Sequence, residues 1–263
     1  MEQPDMLDEQ QELLKLLRSL LDSWQTLPPK AELCKGKTVA QVATVFGLAA
    51  HTHRLATAVD MLWSAGMYIE SAPLIRGAME NALTAQFVAQ VDDGVYGLLN
   101  NYARKRKNLV DEIVKAGYLS SDQLASQLDE WEPVQTPSTD SATKVQQLCN
   151  DLEPGGSQAY AWYRLLSAWS HAGGAIVDEY AHDDPFQLSI TPDKFPPSTG
   201  FLVILGGSVV WAGRAYDMLT RGKGRREELR RAAGKIGIVP ELHPSAAYRR
   251  RVQAEKKKRR SER

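Results

Sequence analysis

The segment Tyr163-Arg-Leu-Leu-Ser-Ala-Trp-Ser-His171 sets a guanidinium and an imidazole one heptad apart. On a continuous helix seven steps return to nearly the same azimuth, so Arg164 and His171 are expected on one face, about two turns apart. Ser167 and Ser170 lie between them, beside Trp162, Tyr163 and Trp169, which makes a small polar island on an otherwise apolar, aromatic helix. Such an island is either a hydrogen-bonded core network or part of an active site. Imidazole titrates near neutral pH and suits proton transfer, while a planar guanidinium suits a phosphate.

A second pair, Arg76 and Glu80, stands at i and i+4 in Leu74-Ile-Arg-Gly-Ala-Met-Glu-Asn-Ala-Leu83, flanked by Ile75, Met79, Leu83 and Phe87. A charge pair among apolar neighbours is expected to lie partly inside and to be mutually paired, because a buried unpaired ion is costly. It either ties its helix to a neighbour or supports the site around His171. His51 and His53 are two apart, and such positions on a helix point to opposite sides, so no chelate is expected. His182-Asp-Asp184 reads as a solvated loop, and no metal site is assigned. The glycines at 94–97 and 222–224 follow no strand, so there is no phosphate-cradling motif and no cofactor is expected.

The elements that must carry these residues read as helices throughout. Leu7–Trp24 has a leucine stripe at helical spacing, and Thr38–Ala65 is a long Ala-, Val- and Leu-rich segment. Ser71-Ala-Pro73 reads as a helix start, with a capping hydroxyl and a proline in the first turn, opening a helix to about Val91. Tyr96–Ala116 is amphipathic and carries Arg104-Lys-Arg-Lys107, a short helix is expected from Ser120 to Trp131, and Pro133–Ser141 reads as a loop. Ala142–Leu152, Gln158–Tyr180, Gly200–Thr220 and Arg225–Lys235 are expected helices, with His182–Thr199 a proline-rich loop. No segment of useful length alternates like a strand, so the fold class is all-α, a multi-helix bundle with core helices centred on Ala56, Arg76, Trp169 and Val209. The expected organisation is an N-terminal helix in 1–36, a helical bundle in 37–221, and a basic C-terminal helix or tail in 222–263.

The 32 basic and 32 acidic groups cancel overall, yet 16 basic and only 5 acidic residues lie from Arg221 onward. The body is therefore acidic and the C-terminal extension basic, which suits a solvated tail, a nucleic-acid partner through Arg249, Arg250, Arg251, Lys256, Lys257, Lys258, Arg259 and Arg260, or an acidic protein surface including the chain's own body. The longest apolar stretch, Phe201–Gly213, is shorter than the roughly 20 residues of a membrane span and reads as a buried helix. With an acidic N-terminus that does not resemble a leader, a cytoplasmic protein with two reduced thiols, Cys34 and Cys149, is expected.

The runs Leu-Ile-Arg-x-x-x-Glu-Asn and Tyr-x-x-x-Ser-x-x-x-His, here Arg76, Glu80, Tyr163, Ser167 and His171, resemble a bacterial helical family known only as a domain of unknown function. The resemblance spans about Val42–Tyr180 and implies a fold but no activity. The chain is more distantly similar to HEPN domains, helical bundles of toxin and phage-defence ribonucleases, whose arginine and histidine are spaced much as Arg164 and His171 are. Those nucleases usually follow the arginine with a polar residue, where this chain has Leu165. That resemblance implies an up-and-down bundle and metal-independent RNA cleavage in a homodimer. His171 would be the base, Arg164 would hold the phosphate, Ser167 or Ser170 would position a phosphate oxygen, and Arg76, Glu80 and Tyr163 would support them. The alternative is a non-catalytic binding or assembly module that contacts nucleic acid through its basic tail.

Overall fold

The computed structural model describes residues 7–28, 30–118, 132–183, 186–192 and 198–261. The helix expected from Ser120 to Trp131 lies outside these residues. Eleven helices are designated in chain order among the described residues: α1 Asp8–Gln25, α2 Val39–Ser64, α3 Ala72–Gln90, α4 Gly94–Lys115, α5 Thr139–Thr143, α6 Val145–Asn150, α7 Gly156–Ser170, α8 Gly174–Asp178, α9 Thr199–Leu219, α10 Arg226–Ile236 and α11 Ala246–Ser261. The protein is an all-α multi-helix bundle, with two minimal antiparallel pairings added to it. β1 (Leu152–Glu153) pairs with β4 (His243–Pro244), and β2 (Ala181–Asp183) forms a hairpin with β3 (Phe186–Leu188). The hairpin occupies the start of a segment expected to be a loop; at three residues per strand it was too short to announce itself by alternation.

Local chemistry explains the main boundaries. Thr38 caps α2 by accepting from the Gln41 amide, and Ser198 caps α9 through the Phe201 amide. Pro73 sits in the first turn of α3 as expected, but Ser71 is not the capping hydroxyl. Its Oγ donates to the Tyr68 carbonyl and accepts from Trp63 Nε1, so it fastens the end of α2 to the start of α3.

α2, α3 and α9 pack on one another at the centre, α1 and α10 cover α9, and α7 lies on α3. Burial follows the apolar stripes: Leu17, Leu20, Leu21 and Trp24 of α1, Val45, Ala49, Ala56 and Val59 of α2, and nearly all of α9 from Leu202 to Ala215. One hydrophobic cluster runs from Leu17 to Tyr248. α9 is the one helix among the described residues long and apolar enough to cross a membrane, and 89% of its most apolar window is covered by protein. Its glycines serve that packing: a Cβ at Gly206 or Gly213 would stand 3.0 Å from Ile236 or Leu229 of α10. α7 was expected in the core, but only Gly156, Ala159 and Leu166 of it are buried; it flanks the bundle, with Tyr160, Trp162, Tyr163 and Trp169 partly buried against the core and the opposite face exposed.

His51 and His53 diverge as helical spacing requires, the first exposed and the second buried. His53 stacks on Trp24 at 4.0 Å and its Nδ1 contacts the Ala49 carbonyl. Burial pushes its pKa down to about 3, against the raising effect of the Ala49 bond and with help from the Arg225 charge. The unfolded chain therefore binds a proton that the folded one refuses, and His53 contributes stability above about pH 6.5 that is lost as pH falls towards about 3. Urea unfolding between these pH values should show a shallower decline in His53→Phe than in the wild type; identical slopes would contradict this.

The basic C-terminal extension ends in α11, whose first turns are docked on the body. Tyr248 of α11 is buried edge-on against Phe87, with ring centroids 5.2 Å apart, and its hydroxyl joins Ser138 and Asp93. Arg251 makes two bonds to the buried Asp151 carboxylate, which also accepts from Ser141 and Gln147. Arg249 bonds Glu153 and the Pro244 carbonyl. Two of the expected nucleic-acid-binding arginines thus hold the helix to the acidic body, while Arg250, Lys256 and Lys257 are exposed.

Candidate functional site around Arg76

α3 and α7, with the residue that ends α7, bring three residues singled out in the sequence, Glu80, Tyr163 and His171, around the Arg76 guanidinium. Arg76 stands on the α3 face turned towards α7, with its side chain 18% exposed. Its Nε donates to Glu80 Oε1 at 2.9 Å, one turn along the same helix. Its Nη2 donates to the Tyr163 hydroxyl at 2.8 Å, and its Cζ lies 4.7 Å from that ring's centroid. Its Nη1 contacts His171 Nε2 at 2.5 Å. Three nitrogens of one planar group are therefore committed to a carboxylate, a phenol and an imidazole.

The turn before α7 makes this meeting possible. Gly155 has φ +100°, a conformation that side chains resist, and it turns the chain into α7. A Cβ at Gly156 would stand 2.0 Å from the Cys149 carbonyl oxygen, so only glycine lets α7 start hard against α6. From there α7 crosses α3 with Tyr163 over Arg76. The helix ends at Ser170, well short of the expected Tyr180, and His171 adopts an extended conformation (φ −129°, ψ 153°). Ala172 and then two adjacent glycines, Gly173 and Gly174, follow, and the second of these opens α8.

That ending corrects the heptad expectation. Arg164 is exposed on α7, while His171, extended at the helix end, contacts Arg76. Arg76 holds the position beside the imidazole that the sequence suggested for Arg164. Ser167 is also placed differently, since its hydroxyl donates to the Tyr163 carbonyl at 2.6 Å, and Ser170 does the same to Leu166. Arg76, Glu80 and Tyr163 do form the network expected of them. No group of three or more metal-ligating side chains occurs among the described residues.

A guanidinium has donors only, so in this contact Arg76 Nη1 is the donor and His171 Nε2 faces it as the acceptor. In this arrangement the one basic nitrogen of an exposed histidine is masked by Arg76. Cys149 lies behind the cluster, where burial and the Glu80 charge push its thiol up to about 12; it is a packed thiol without nucleophilic character. Cys34 and Cys149 are both free. Sequence reasoning passed over Tyr160, whose ring is nearly parallel to that of Tyr163 with centroids 6.1 Å apart. The signal was present, since the two tyrosines are three residues apart and must share a helix face.

The Arg76–Glu80 pair is half-open, with Glu80 37% exposed. Glu80→Ala is therefore expected to cost about 1–2 kcal/mol, between an exposed pair and a fully buried one. Urea unfolding checks this, and a loss above about 3 kcal/mol would mean a more tightly enclosed pair.

No curated protein and no solved structure matches the chain. A family model, described as a family of unknown function (DUF5677), matches residues 42–187. The match runs from α2 through β3 and contains Arg76, Glu80, Tyr163, Ser167 and His171. It covers more than half of the sequence, and the chain belongs to this family of unknown function.

Proposed function

We propose that the Arg76 cluster is a phosphodiester-binding site at which RNA is cleaved without a metal. The observation that carries this reading is a fixed guanidinium held in hydrogen-bond contact with an exposed imidazole. Glu80 and Tyr163 hold Arg76 by Nε and Nη2, and Nη1 is the donor that faces His171. A phosphate oxygen competes well for that donor, because a charged acceptor binds a guanidinium more strongly than a neutral ring nitrogen does.

Exchange of His171 for phosphate on Nη1 frees the Nε2 lone pair beside the bound phosphodiester. The 2′-hydroxyl proton then passes to Nε2 while the 2′-oxygen attacks phosphorus. The bond to the 5′-oxygen breaks, that oxygen takes a proton from water, the hydroxide left behind is neutralised by the proton on Nε2, and the products are a 2′,3′-cyclic phosphate and a 5′-hydroxyl. Arg76 offsets the charge that grows on the phosphoryl oxygens. Arg164, exposed on α7, serves as a cation for a flanking phosphate and has no place beside the base.

The test is incubation of purified protein with single-stranded and structured RNA in chelator, alongside His171→Ala. Cleavage is expected with the wild type and should fall at least about 100-fold in the variant. No cleavage by either, or cleavage that the substitution leaves unchanged, would end the proposal.

A second reading, a non-catalytic module that binds nucleic acid, is favoured by α11. Its first turns are fixed by Tyr248 and Arg251, while Arg250, Lys256 and Lys257 stay exposed. Under that reading RNA binding weakens steeply with salt and is lost on deleting residues 253–263, whereas His171→Ala has no effect.

A further inference from the structure

A groove of about 520 Å³ opens next to the Arg76 cluster and shares Tyr163 with it. Tyr160 and Tyr163 line one side, and Lys144, Gln146, Gln147 and Asn150 line the rest. Both rings are half-buried and nearly parallel, with 18° between their planes. Gln146 and Asn150 are exposed amides, while the Gln147 NH₂ is committed to Asp151. Lys144 is exposed, and its 3.5 Å pairing with Asp140 is of the solvent-facing kind that contributes little and exchanges readily.

We infer that this groove is a base-binding subsite for single-stranded RNA, adjoining the phosphodiester held by Arg76; the inference rests on the reading of the Arg76 cluster proposed above. The base stacks on the tyrosine pair, with Tyr160 the principal platform because Tyr163 is already tied to Arg76. The amides of Asn150 and Gln146 face the hydrogen-bonding edge of the base, and Lys144 takes the next phosphate. That edge is open only when the base is unpaired, so the groove selects single strands over duplex. Tyrosine faces are tolerant of base identity, and whatever sequence preference exists arises from the two amides.

The experiment is fluorescence anisotropy of a 5′-labelled, 2′-O-methylated eight-nucleotide RNA, which binds without being cut. Tyr160→Leu, which keeps apolar bulk but removes the aromatic face, should raise Kd about tenfold or more, and Tyr160→Phe should leave it within about twofold. Arg76→Lys reports the phosphate site separately and should also weaken binding. Binding that depends on Arg76 but is indifferent to Tyr160→Leu would overturn the subsite and leave the phosphate site standing. Absence of RNA binding by the wild type would overturn both. Equal competition by duplex RNA, or by AMP alone, would assign the groove to another ligand and refute the inference.

Discussion

Arg214→Ala is expected to lower the free energy of unfolding by about 3–5 kcal/mol, the largest stability effect of any single charge removal in this chain. Arg214 lies on α9 with its side chain 4% exposed, and it donates to Asp217 at 3.0 Å and to Glu241 at 3.1 Å. Asp217 is 5% exposed and Glu241 is 18% exposed. Burial raises the pKa of Asp217, and Arg214 is the foremost of the cations that pull it back. Without Arg214 the carboxylate of Asp217 is left in the interior with only Arg225 and Lys223 to oppose its desolvation. Asp217→Asn in the Arg214→Ala background should recover part of the loss, because a neutral amide tolerates burial better than an unpaired charge. Urea denaturation of the two variants checks both statements. A loss below about 1 kcal/mol for Arg214→Ala would place the network effectively in solvent.

Arg76→Lys carries the largest expected effect on function. Lysine keeps the charge but offers one ammonium where Arg76 uses Nε, Nη1 and Nη2 for three different partners. It cannot hold Glu80 and Tyr163 and still address a phosphate beside His171. Single-turnover RNA cleavage should fall about 100- to 1,000-fold, the scale seen when one preorganised donor to a transition state is removed. Circular dichroism should remain helical, since the pair is half-open and α3 is held by Ile75, Ala78, Met79 and Leu83. Cleavage within about threefold of wild type would mean that Arg76 supplies charge alone.

The helical architecture was legible because long segments carry helical periodicity and strong punctuation. Thr38 and Pro73 sit at or within a residue or two of their helix starts, and the apolar stripe of α1 is the stripe that is buried. The candidate site was half legible. Arg76, Glu80, Tyr163 and His171 could be singled out by type and spacing, but spacing along one helix could not say that Arg76 and His171 meet, 95 residues apart in sequence. The heptad argument misled because it assumed a continuous helix through His171. α7 ends at Ser170, shortly before Gly173 and Gly174, and the extended His171 contacts Arg76. The basic extension was legible as a charge run, but its partners were not. Its cations were counted as a charge run, although Tyr248, Arg249 and Arg251 lie on the face that docks against Asp93, Glu153 and Asp151. Composition reports how many charges a segment carries; their partners come from carboxylates distant in sequence.

The most direct measurement is the state of the His171 ring by ¹⁵N-resolved NMR of the wild-type chain, before and after addition of a 2′-O-methylated RNA oligonucleotide. The account predicts a neutral ring with its proton on Nδ1 and an accepting Nε2 in the free protein, a state that Arg76→Lys disturbs and that RNA changes at Nε2 as Arg76 transfers to phosphate. A proton resident on Nε2 in the free protein, or an imidazole that does not respond to bound RNA, would contradict it.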